Sequence, residues 1–78
     1  MDKKEEEKHE IAILVEWDLY PIIELTCNNK KQREKEIEEF VQKCMEINTT
    51  MTKQELKEYV TGVLNRTIQS MKDLEEGR

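Results

Sequence analysis

Glycine and proline are almost missing from this chain, at two and one in 78 residues. Sandwiches and barrels need many tight turns, which draw heavily on those two residues. Their scarcity disfavours an all-β architecture and suits a few long helices. Histidine occurs once and cysteine twice. A structural zinc site normally takes four ligands, mostly Cys and His, so none is expected. Nor is there the dense disulfide framework of a small secreted domain, since Cys27 and Cys44 can form one bridge at most. The chain also lacks a basic excess. Its net charge is −5, with −2 on residues 1–10 and −3 on residues 11–29, while ten acids and ten bases cancel from residue 30 onward. Binding a phosphate backbone requires Lys and Arg to neutralise many phosphates, so nucleic acid is not an expected partner. No apolar run approaches the ~20 residues of a membrane span. Met1-Asp2-Lys3-Lys4-Glu5-Glu6-Glu7 has none of the pattern of a signal peptide. A cytoplasmic, reduced protein with no membrane association is the expectation. On that footing, the sequons Asn48-Thr49-Thr50 and Asn65-Arg66-Thr67 carry no meaning.

What is present is helical. Apolar residues make up 36% of the chain and charged residues 40%, a balance between an ordinary globular domain and a helical bundle. The length predicts one domain, 1–78, near the lower limit for a single core, where regular helix packing or oligomerisation has to help. Its ends are a charged lead-in over 1–9 and a frayed tail over 75–78.

The strongest local signal lies at Thr52–Leu74. Thr52-Lys53-Gln54-Glu55 has the form of a capping box, in which Thr52 and Glu55 each accept from the other's backbone N–H. Met51 and Leu56 hold the flanking positions of a hydrophobic staple. Leu56, Tyr59, Val60, Val63, Leu64, Thr67, Ile68, Met71 and Leu74 then recur at three- and four-residue steps, one stripe of a helix. Gly62 within it suggests close approach of another helix.

Upstream, the lead-in is expected to become helical by about Glu5, supported by pairs such as Lys4 with Glu7. From Ile11 to Cys27 the chain is at its most apolar. Ile11, Leu14, Val15, Leu19, Ile22 and Leu25 fit one helical stripe, and Ile13, Trp17 and Tyr20 a second one around the side. β-Branched residues give a strand some weight, but alternation fails at Ile13-Leu14-Val15 and the run is too long. Pro21 predicts a kink or break near residues 17–21, with Asp18 placed to cap a second piece. An asparagine of Asn28-Asn29 is placed to close the segment in the left-handed conformation. Residues 30–47 form the next helix, with Ile37, Phe40, Val41 and Cys44 as its stripe and Met45 and Ile47 beside it. The short Asn48-Thr49-Thr50 turn makes an antiparallel hairpin with the last helix. The fold class is therefore all-α: a three-helix bundle, four if Pro21 breaks the first, ending in a helical hairpin.

No enzyme signature survives inspection. His9 sits among glutamates of the lead-in and reads as an ordinary solvated histidine. Cys44 lies on an apolar stripe and reads as a core residue; Cys27 sits at a helix end. Both lie away from the helix N-termini that activate thiols. Gly62 has neither the second glycine nor the Lys-Ser/Thr pair of a phosphate loop. Carboxylates lie on charged faces unsuited to paired acid–base work. Neither a cofactor nor a metal is expected.

Two functions remain. A kinked helix apolar on most sides needs more cover than two partner helices supply. Ile13, Trp17 and Tyr20 are therefore the candidate partner-binding or dimer interface, since Trp and Tyr are enriched at binding hot spots. A self-complementary patch of this kind gives a two-fold homodimer. The expectation is a non-catalytic protein–protein interaction module, a regulator, inhibitor or adaptor of a larger partner. The alternative is a small helix-turn-helix DNA-binding regulator using Lys30, Lys31, Arg33 and Lys35 on phosphates, although interleaved glutamates blunt that patch.

Overall fold

Asp2 starts the first helix. Its Oδ1 accepts the Glu5 N–H at 2.9 Å, so α1 runs over Lys3–Leu14 and begins earlier than the charge pattern suggests. The computed structural model describes residues 2–26 and 29–76, with the side chains of 2–25 and 29–74. A π-helical turn over Val15–Leu19 follows α1, and α2 continues over Tyr20–Thr26. These three pieces join as a single first helix. Neither a break nor an Asp18 cap interrupts it. α3 spans Lys30–Cys44 and α4 Lys53–Glu76. The fold is an all-α three-helix bundle.

The π-helical turn is how the chain carries Pro21 inside a helix. In a regular α-helix the proline ring meets the carbonyl four residues back, here that of Trp17. The wider turn just before it gives way instead, and the Tyr20 N–H donates to the Val15 carbonyl. This insertion changes which residues face the core. At about 100° per residue, residue 22 of an unbroken helix lies about 20° around from residue 11, and residue 23 about 120°. One residue absorbed by the wide turn moves each later side chain by one place. The buried row is therefore Ile11, Val15, Leu19 and Ile23. Ile22 and Leu25, expected on the inward stripe, are exposed, and Leu14 is half-buried.

Asn29 lies in extended backbone and caps the next helix, its side chain accepting the Lys31 N–H. It does not close the preceding helix in the left-handed conformation. Cys27 and Asn28 lie outside the described residues. α3 buries Ile37, Val41 and Cys44. It stops at Cys44 and not at residue 47, because the Glu46 and Ile47 N–H groups turn back only three residues, onto the Lys43 and Cys44 carbonyls. Ile47 is consequently exposed. The Asn48 amide then holds the link to α4. Its Nδ2 donates to the Met51 carbonyl at 2.6 Å, and its Oδ1 accepts the Met51 N–H.

The capping box of α4 forms as expected. The Glu55 N–H donates to the Thr52 hydroxyl at 3.1 Å, and the Thr52 N–H to the Glu55 carboxylate at 3.3 Å. Met51 and Leu56 are both buried beneath it. Val60, Val63 and Leu64 continue the core, with Tyr59 and Ile68 packed at its margin. α3 and α4 are antiparallel, tied by Glu38, which meets Lys53 at 3.0 Å and Lys57 at 3.4 Å. α1 and α4 run in the same direction. Lys4 meets Glu55 at 3.4 Å, and one turn on the Tyr59 hydroxyl donates to the Lys8 carbonyl.

Gly62 does not admit a neighbouring helix. It is exposed, and a Cβ built there meets nothing within 4 Å. Gly62→Ala is therefore expected to stabilise the fold by about 0.5–1 kcal/mol, through helix propensity alone. Thr52→Ala is expected to destabilise it by about 0.5–2 kcal/mol through loss of the cap. Urea titrations of the two variants beside the parent check both signs.

Candidate interaction surface

The row facing the core fixes what the other faces of the first helix present. Ala12, Glu16 and Tyr20 sit one residue beyond that row and line a groove against α4. Its opposite wall is made by Val63, Arg66, Thr67, Ser70, Met71 and Leu74. Ile13 and Trp17 lie one residue further around, on the outer side, with Trp17 three residues from Tyr20 and so its helical neighbour. Trp17 is 75% exposed and Ile13 43%. Tyr20 is half-buried and packs at the edge of the core. The three candidate residues are thus adjacent on one helix, two on its outer face and one at the rim of the groove.

The sequence pattern misses the other wall. Met71 and Leu74 fit the stripe of α4, which places them in the core, yet they are 43% and 59% exposed. The reason is length. Asn29, Lys30 and Arg33, at the start of α3, lie level with Thr61 and Asn65 of α4. Beyond that level α4 continues without α3 beside it, so its apolar stripe has only the first helix for cover. Glu16 and Arg66 are also part of this surface. Both are exposed, one on each wall, and among the described residues neither side chain forms an ion pair or hydrogen bond.

The remaining candidates hold little chemistry. His9 is exposed, and no group of three His, Cys, Asp or Glu able to hold a metal occurs among the described residues. Cys44 is a free, buried thiol. Burial pushes its pKa up to about 11, which leaves almost no reactive thiolate near neutrality. Lys30, Lys31 and Lys35 are exposed, whereas Arg33 is half-buried, its Nε without a hydrogen-bond partner among the described residues. Among the described residues, no helix is long and apolar enough to cross a membrane.

One buried ionisable group escapes the sequence reading. Glu7 belongs to the same every-fourth-residue row as Ile11, Val15 and Leu19, and it is buried. It does not pair with Lys4. Its carboxylate accepts the Thr49 hydroxyl at 2.5 Å and the Thr49 N–H at 2.8 Å. It also accepts the Thr50 hydroxyl at 2.9 Å and the Thr50 N–H at 3.2 Å. The extension of the row back through Glu7, with two threonines in the turn, was the available sign in the sequence. Four donors converge on one carboxylate, so this site holds the α3–α4 link against α1 and leaves little room for a ligand.

Those bonds, the Thr49 hydroxyl first, bring the Glu7 pKa from 4.5 down to about 2, against the opposing effect of burial. Because the folded value is depressed, the ionised form favours the fold. The contribution is complete above the ordinary value of 4.5 and is lost as pH falls towards about 2. Glu7→Gln is expected to lower the melting temperature at neutral pH. It should also flatten the dependence of stability on pH over that window, as thermal melts of the two proteins from pH 7 to pH 2 will show.

Comparison with known proteins gives no match: no family model, no curated protein and no solved structure matches the chain.

Proposed function

We propose that the protein is a non-catalytic protein–protein interaction module of the cytoplasm, acting as a regulator, inhibitor or adaptor of a larger partner and able to associate with itself. The observation that carries this reading is Trp17, 75% exposed on the outer face of the first helix with Ile13 one turn before it. A tryptophan has the largest apolar surface of any side chain, and water contact forfeits the stabilisation its burial would give. A small acidic domain gains nothing for its own fold from that placement. Residues of this type, surrounded by groups that exclude water on docking, are the usual centres of binding energy. The thin inventory of nucleophiles and bases supports the non-catalytic half of the reading.

DNA binding through the α3–α4 hairpin is less well supported. Lys53 and Lys57, in the first turns of the helix that would enter the groove, are engaged by Glu38. Contacts to phosphate would have to replace those ion pairs. The acidic balance of the whole chain opposes the approach of DNA as well.

The test is capture from a lysate on beads carrying the parent protein or Trp17→Ala, with and without nuclease. A protein partner retained by the parent after nuclease and lost by Trp17→Ala is the expected result. Equal capture by both proteins would remove Trp17 from the interface, and material lost on nuclease treatment would favour the DNA reading. Circular dichroism should show the same helicity in both proteins, since Trp17 lies outside the core.

A further inference from the structure

We infer that a second copy of this chain closes the groove between the first helix and α4, about a two-fold axis running along the groove. This inference rests on the interaction reading above and names the partner.

The groove has the two properties such a pairing needs. The first is exposed apolar surface on the α4 wall and on the outer face of the first helix next to the other wall. Met71 and Leu74 stand exposed on the α4 wall, and Trp17, the residue after Glu16, stands exposed on the outer face of the first helix. The second is charge of opposite sign on opposite walls. Glu16 projects from the first helix and Arg66 from α4, and within one copy they do not pair. A two-fold axis along the groove lays the first helix of each copy over α4 of the other. α1 and α4 run in the same direction, so residues level within one copy stay level across the axis. Glu16 of each copy then faces Arg66 of the other, twice over, and Trp17, on the outer face of the same helix, lies at the margin of that contact. A surface that is its own complement in sign and shape is what an isologous interface requires. An unrelated partner would have to supply one base and one acid at the same spacing. A stable two-fold interface takes about 800 Å² from each copy. That is about one seventh of the 5828 Å² the chain exposes in all.

The experiment is sedimentation velocity on the full chain over a wide concentration range, with the variants Glu16→Arg and Arg66→Glu. The parent is expected to sediment at twice the 9.4 kDa of one chain, returning towards one chain on dilution. Each single reversal sets like charges face to face and should weaken association at least about tenfold. Mixing the two variants sets the two reversed side chains against each other as an opposite-charge pair. The second contact of the same mixed dimer keeps the parent pairing of Glu16 with Arg66. The mixture should therefore recover the association that each variant alone has lost in part. Both positions are exposed, and unchanged helicity would show that the fold is intact. A parent with the mass of one chain at every concentration would overturn the inference. So would a dimer indifferent to both reversals. A monomer that still captures a protein partner through Trp17 would sink the second copy but keep the interaction reading. A monomer without Trp17-dependent capture would sink both.

Discussion

One missing N–H organises this bundle. Pro21 has no donor for the Trp17 carbonyl, and its ring forbids the regular α-helical approach to it. A chain can meet that constraint by breaking the helix, bending it or widening one turn. Here the turn widens, on the side where Trp17 and Pro21 both face solvent and water can satisfy the carbonyl. The consequence is rotational. The core-facing row holds a step of four from Glu7 through Ile11, Val15 and Leu19 to Ile23, where an unbroken helix would have drifted away. A break at residue 18 would have given two short helices, each near the length at which isolated helices are marginal. Absorbing the proline keeps a long first helix whose single face reaches from the turn at Thr49 to the end of α2.

That continuity joins the two ends of the chain's logic. At one end of the row, Glu7 is held by Thr49 and Thr50, residues more than forty positions away. The link it holds is itself shaped by Asn48, and it delivers Met51 and the capping box of α4 at the same place. Lys4 with Glu55 and Lys8 with Tyr59 extend the contact along α1 and α4. Exposed ion pairs such as Lys4–Glu55 contribute little individually. The buried carboxylate differs, because removing it leaves several donors of the turn without an acceptor. Where the apolar core among the described residues is only twelve side chains, a polar contact of this kind sets where the helices meet.

How far the sequence spoke depends on whether the deciding physics was local. Helix identity, the Thr52–Glu55 box and the buried residues of α4 from Leu56 to Leu64 follow from propensity, capping and periodicity within one turn or two, and all were legible. The facing of Ile22 and Ile23 was not, because periodicity assumes a constant turn and the π-helical turn breaks that assumption. Glu7 reads from sequence as one more solvated charge, because its partners Thr49 and Thr50 are distant in the chain. A packing role for Gly62 needs a neighbouring helix, and none is there. On the surface, Ile13, Trp17 and Tyr20 were legible as apolar residues off the main stripe. Met71 and Leu74 were not, since their exposure depends on where α3 begins relative to α4.

That last mismatch is a matter of length. The first helix and α4 each run for 24 residues, about 36 Å at 1.5 Å per residue, while α3 has 15 and spans about 22 Å. A bundle of equal helices would cover all its stripes. In this one, the short member starts level with Asn65, so the far third of α4 carries core-type residues past the end of the core. α3 does not reach that surface, so only the first helix covers its apolar residues. The chain continues its hydrophobic period to Leu74 and sets Trp17 in water on the adjoining helix. Both leave apolar surface in water, on the outer face of the first helix and along the far end of α4.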